Sequence, residues 1–272
     1  MDKAYSDSPY IGRTPFICCQ KDQRFSYCMY VPSAYYGTDQ QDYTLLTIIH
    51  GSLRTAEGYR DAFIDFADKH NCIVLVPLFP IGILGVDDKH SYKYIRHAEL
   101  NYDQVLHDME DEVRARFKRL RPKMLMHGFS GGGQFAHRYL YLNPNKLIAV
   151  SVGAPGTVSQ LDPSLKWWPG TANFKELFGH EPNLKAMRGV NIQLIIGEND
   201  TETRDVTVSE FSKTWTVGAN DAGINRRDRL STLNNNITDH GMRPEITIVP
   251  DVAHEGMRIL DEVKAFFSRV LS

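Results

Sequence analysis

The chain has 272 residues, enough for one sizeable core, and carries 42% hydrophobic and 24% charged residues with a formal net charge of −2. That balance is ordinary for a globular protein and gives no electrostatic reason to expect nucleic acid or a membrane as partner. The opening MDKAYSDSPY lacks the basic start and apolar run of a signal peptide, and no stretch is apolar for long enough to span a bilayer, so a cytoplasmic location is expected.

Strand-like and helix-like segments alternate along the chain. Phe16 to Gln20 and Phe25 to Val31 are short, β-rich and separated by Lys21-Asp22-Gln23, which predicts an antiparallel opening pair. Leu45 to His50 and Cys72 to Pro77 are continuous apolar runs, as expected of strands buried on both faces. Between them, Tyr59, Phe63, Phe66 and Ala67 recur at helical spacing over Ala56 to His70. Residues 79–100 show no period and read as a loop. Tyr102 to Leu120 presents one apolar helix face, with Pro122 as its stop.

Lys123 to Phe129 is the next strand and Gly131 to Tyr141 the next helix. Leu147 to Val152 and Ile192 to Ile196 are buried strands, Asn225 to His240 is a helix stopped by Gly241, and Glu245 to Val249 is the last strand. A closing helix covers residues 257–271. The alternation predicts an α/β fold: one domain over residues 1–272, with a mostly parallel sheet and helices on both faces. Two segments break the rhythm, at about 155–190 and 201–224, and are expected to be lid-like insertions at the ligand edge of the sheet. The four cysteines, Cys18, Cys19, Cys28 and Cys72, have no metal-ligand spacing and are read as free thiols. The alternative is a Cys18–Cys28 bridge between neighbouring strands.

Gly128-Phe129-Ser130-Gly131-Gly132 fits G-x-S-x-G, with a buried strand before it and a helix after it. A serine on a sharp strand-to-helix turn needs a strained backbone, and glycines two positions away remove the side chains that would clash. A glycine-rich structural turn or a phosphate-binding loop would share the pentapeptide, but no G-x-x-x-x-G-K-[ST] occurs. His50-Gly51-Ser52-Leu53 ends an earlier strand, where a backbone N–H from Ser52 could join that of Gly131 in an oxyanion hole. Asp200 follows the strand-ending Gly197 by three residues, and His254 lies on the loop after the last strand. The order Ser, Asp, His, each after a strand, is that of a hydrolase triad: Ser130 as nucleophile, His254 as base, Asp200 as acid.

With these motifs in place the sequence resembles the α/β-hydrolase superfamily over nearly its whole length. The stretch His50-Gly51-Ser52-Leu53-Arg54-Thr55-Ala56-Glu57-Gly58-Tyr59, followed by Ala67-Asp68 and Val74 to Pro77, resembles the poly(3-hydroxybutyrate) depolymerase and feruloyl-esterase-like branch. The resemblance implies an ester hydrolase with Ser130, Asp200 and His254 in the triad. The chain departs from secreted depolymerases in showing neither a signal peptide nor an obvious polymer-binding module.

Glu198 and Glu202 are rival acids to Asp200, while His127 and His137 are read as packing or surface residues. Trp167-Trp168 is either a core cluster under a loop or a lid lining an apolar pocket; with Leu53 it supplies the candidate substrate contacts. Arg226, Arg227 and Arg229 are read as a solvated helix face. The expected reaction is hydrolysis of a small-molecule carboxylic ester through an acyl-enzyme, with no cofactor and no metal. Carbon–carbon bond hydrolysis or acyl transfer on the same site, and a non-catalytic ligand-binding module of the same fold, are the alternatives.

Overall fold

The computed structural model describes residues 10–37, 41–204 and 206–272. Nine strands form one sheet: β1 (Gly12–Arg13), β2 (Ile17–Cys18), β3 (Ser26–Val31), β4 (Tyr43–Ile49), β5 (Cys72–Leu78), β8 (Leu120–Phe129), β9 (Leu147–Gly153), β10 (Asn191–Gly197) and β11 (Glu245–Val249). A separate two-residue pair, β6 (Arg96–His97) and β7 (Leu100–Asn101), lies in the segment read as loop, together with a 3₁₀ turn at Ser91–Tyr94. The spatial order is β1-β3-β5-β4-β8-β9-β10-β11, with β2 also on β3. Strands β5 to β11 of this order run parallel, while β1, β2 and β3 are the antiparallel opening.

The runs that form the centre are those with no polar face to offer. Every residue of β4 is buried, as are the last six of β8. Helices α1 (Ala56–Ala62) and α2 (Ile64–His70) follow β4, and α2 packs with the closing helix α8 (Leu260–Leu271), Phe66 against Phe267. The amphipathic α3 (Tyr102–Arg116) meets α4 (Gly131–Leu142), where His107 bonds the Tyr139 hydroxyl. Two short helices, α5 (Phe174–Phe178) and α6 (Leu184–Met187), lie between β9 and β10, and α7 (Arg226–Asp239) lies between β10 and β11. The Asn225 side chain accepts the Asp228 N–H to cap α7, and Gly241 with φ 86° follows its end.

Three local expectations change. The single helix over Ala56 to His70 is two, broken at Phe63, whose burial in the core holds it at φ −104° and ψ 8°. Pro122 does not stop a helix: α3 ends at Arg116, and Pro122 lies inside β8. It is tolerated there because pairing with β4 jumps from Tyr43↔Leu120 to Leu45↔Met124, so the proline sits in an irregularity and removes no ladder bond that the sheet uses. The third concerns the arginines of α7 and belongs to the site. All four cysteines are free. Among the described residues no helix is long and apolar enough to cross a membrane.

Candidate active site

The chain runs from β4 outward to β5 and returns to place β8 on the other side of β4. At such a reversal of strand order the loops leaving the carboxyl ends diverge and open a crevice. The two loops that flank it are His50-Gly51-Ser52 after β4 and the Ser130 turn after β8.

Ser130 is held at φ 58° and ψ −113°, a strained conformation for a residue with a side chain. The turn closes only because its flanks are bare: a Cβ on Gly128 would lie 2.2 Å from the Gly132 carbonyl oxygen, and one on Gly132 would lie 2.0 Å from that of Ile49. The Ser130 N–H donates to Gly153 O at 2.8 Å, which ties the turn to β9. Gly131 is the first residue of α4, so its N–H has no acceptor within the helix.

The loop after β10 and the loop after β11 are stitched together by backbone bonds, Glu198 N–H to Val249 O and Asn199 N–H to Val252 O. That delivers Asp200 and His254 side by side over Ser130. His254 Nδ1 lies 2.6 Å from Asp200 Oδ2, and His254 Nε2 lies 2.9 Å from Ser130 Oγ. A carboxylate only accepts, so Nδ1 carries the proton and the bare Nε2 faces the serine hydroxyl. The Phe129 ring, 4.7 Å from the imidazole centroid, supports it from below. Asp200 is 1% exposed, and its second oxygen accepts from Arg226 Nη1 at 3.3 Å.

The rival acids do not reach His254. Glu198 accepts the Asp251 N–H, and Glu202 is turned back on the N–H groups of Thr203 and Arg204. His127 and His137 are fully buried and bonded to Ser151 and to Gly133 and Ser159, so both are packing residues. The α7 arginines are not a solvated face. Arg226 is buried against Asp200, Arg229 is buried and donates to Gly156 and Gly223 carbonyls, and Arg227 caps the Glu198 carbonyl. A signal for this was present: three arginines in the first turn of a helix oppose its dipole and need acidic or carbonyl partners nearby.

On the β4 side, His50 is buried, with Nδ1–H donating to Gly51 O at 2.9 Å and Nε2 accepting the Phe79 N–H at 3.0 Å. Burial pulls it down to about 4, so it stays neutral and serves as a clamp. Arg54 holds the loop from the other side by donating to the carbonyls of Ser52, Phe79 and Lys89. The Gly51 Cα side faces Ser130: a Cβ there would lie 3.8 Å from that of Ser130. Among the described residues the Ser52 N–H makes no hydrogen bond. Leu53 projects outward, 88% exposed.

Trp168 packs with Tyr94 and Ala219 and donates Nε1–H to Thr214 O, while Trp167 donates to Tyr94 O and packs on Phe174 and Phe178. Both indoles border a cavity of about 190 Å³ that also includes Arg96, His97 and Lys213, so it is a polar cavity and not the apolar pocket considered above. Among the described residues no cluster of His, Cys, Asp and Glu has the arrangement of a metal site.

No protein-family model and no curated protein matches the sequence. Solved structures do. A poly(3-hydroxybutyrate) depolymerase, LpqC, from Bordetella parapertussis is 21% identical with a TM-score of 0.72, over 94% of this chain and 90% of that one. Poly(aspartic acid) hydrolase-1 from Sphingomonas sp. KT-1 is also 21% identical, with a TM-score of 0.68 over 89% and 92%. The siderophore hydrolase EstA from Aspergillus nidulans is 16% identical with a TM-score of 0.59 over 95% and 94%. Near-complete coverage in both directions, together with the parallel sheet and its reversal between β4 and β8, establishes that this chain has the α/β-hydrolase fold.

Proposed function

We propose that this protein is a serine hydrolase that cleaves carboxylic esters, with Ser130 as nucleophile, His254 as base and Asp200 as the acid that orients it. The observation that carries the reading is the unbroken hydrogen-bond chain from Ser130 through His254 to the buried Asp200. As Ser130 Oγ attacks the ester carbonyl, His254 Nε2 takes its proton, and the Asp200 carboxylate stabilises the imidazolium that forms. The N–H groups of Gly131 and Ser52 receive the negative charge on the carbonyl oxygen, and the positive end of α4 adds to them. Collapse expels the alcohol, which takes the proton from His254 and leaves an acyl group on Ser130. Water, deprotonated by the same imidazole, then releases the acid.

Arg226 is a positioning residue here: it holds the Asp200 carboxylate on the side away from His254. The names of the similar structures, all hydrolases of one kind or another, support the reaction class. The test is labelling with a fluorophosphonate, which requires an activated serine, combined with turnover of p-nitrophenyl esters of graded chain length. Labelling that is abolished by Ser130→Ala and by heat, with ester turnover lost in parallel, is expected. Labelling that persists in Ser130→Ala, or an intact protein that neither labels nor turns over any ester, would overturn the reading.

A further inference from the structure

The 3₁₀ turn at Ser91–Tyr94 brings a cation to the nucleophile's other side. A Cβ on Gly131 would lie 2.9 Å from Lys93 Cε and 2.3 Å from the Tyr92 hydroxyl oxygen, so the Lys93 stem is packed on the residue next to Ser130. Tyr92 is locked in place by donating to His50 O at 3.2 Å and by Arg54 stacked over its ring. Lys93 itself is 5% exposed. Its ammonium has one hydrogen-bond partner among the described residues, His90 Nδ1 at 2.7 Å. As an ammonium Lys93 carries three donors and accepts nothing; His90 Nδ1 is then the acceptor, and two donors find no partner among the described residues.

Among the described residues the surrounding charge does not compensate it: the charged groups that act on Lys93 are Arg54, Arg226 and Arg138, all positive. Asp88 acts on His90 but is itself committed to the Ser91 N–H and hydroxyl. Arg226 Nε is buried with no acceptor among the described residues. A buried ammonium without a counter-ion is costly, and a fold that only needed to fill this space would place an apolar side chain there. An open cleft of about 350 Å³, lined in part by Asp88, His90 and Lys213 but not by Lys93 or Ser130, reaches His90 from outside.

We propose that Lys93, backed by His90, is a subsite for a carboxylate on the substrate, held next to the ester that Ser130 attacks. This rests on the esterase reading for its substrate but not for its binding. The carboxylate supplies the charge and the acceptors that Lys93 lacks, and a charge-assisted bond in a buried site is among the stronger polar contacts. Neutral esters leave the ammonium uncompensated, so selectivity for acid-bearing esters follows from the cost of that state.

The test measures binding in a Ser130→Ala background, where nothing is turned over. Calorimetric titration compares 4-acetoxybenzoate with its methyl ester, which places the carboxylate on the alcohol side. Monophenyl glutarate against methyl phenyl glutarate places it on the acyl side. In at least one arm the free acid should bind at least about tenfold tighter than the capped ester. That preference should fall to within about twofold on adding Lys93→Met, and likewise Lys93→Gln, with circular dichroism reporting that each variant is folded. No preference in either arm, or one that survives both Lys93 substitutions, overturns the proposal. Turnover of the capped esters by the wild-type enzyme, measured alongside, decides the esterase reading separately.

Discussion

Two buried cations meet at the Lys93 carbonyl, and the fold treats them differently. Arg138 is wholly buried and every part of its guanidinium is used: Nε on Ser159, Nη1 on the Lys93 and Gln134 carbonyls, Nη2 on Thr157, with Tyr94 and Trp168 against its faces. Lys93, whose own carbonyl Arg138 holds, has a single side-chain partner among the described residues. The difference separates two uses of buried charge. A cation whose donors are all spent on the chain ties loops together, whereas one with donors to spare is held ready for something that is not part of the chain.

That distinction bears on function only if Ser130, beside which the Lys93 stem is packed, is the reacting residue. Ser130→Ala should therefore lower ester turnover by roughly 10⁴-fold or more while leaving the far-ultraviolet spectrum unchanged. Residual turnover within about tenfold of wild type would remove the reason to read Lys93 as part of a substrate surface.

The structural member of the pair should fail by unfolding. Arg138→Met strands the Lys93 carbonyl and the Ser159 hydroxyl in the interior, and at roughly 1–3 kcal/mol for each unsatisfied group the loss is expected to exceed about 2 kcal/mol by urea denaturation. A variant as stable as wild type would show that these contacts are replaceable and blur the contrast with Lys93.

On the opposite side of the serine, Asp200→Asn should cost at least roughly 10²-fold in turnover, since an amide can favour the wrong imidazole tautomer. Glu198→Gln and Glu202→Gln should each stay within about tenfold, because neither reaches His254. A crippled Glu198→Gln with a healthy Asp200→Asn would reassign the acid while sparing the serine and histidine.

The smallest effect has the opposite sign. Lys93→Met replaces an uncompensated ammonium by an apolar chain of similar length, so it should raise the melting temperature by about 2–4 °C at pH 7. Burial holds the Lys93 amine down at about 7, below the value of about 10.4 expected in the unfolded chain. Between those two values the unfolded chain binds the extra proton, so wild-type stability gains with rising pH what the methionine variant already has. The stability gap should close between pH 7 and pH 10. A gap that is constant across that range would mean the lysine is not the source of the difference.

What the sequence determined by itself was local in origin. Strands such as β4 and β5 announce themselves because a strand buried on both faces is mostly apolar, with Thr44 and Thr47 the exceptions in β4, and the Ser130 turn because no side chain fits two positions from a strained serine. The loop positions of Asp200 and His254 followed from where their strands end. Tertiary structure alone decided which groups meet across the chain. Arg226 reaches Asp200 from a helix 26 residues on, and the fold buried Arg226 and Arg229, two of three apparently solvated arginines. Lys93 sits in a segment without periodicity, so nothing in its neighbours foretold that it would lie against Gly131. Period and turn chemistry act over a few residues, whereas the partner of a buried charge is set by sheet order and by the path of loops that no local pattern encodes.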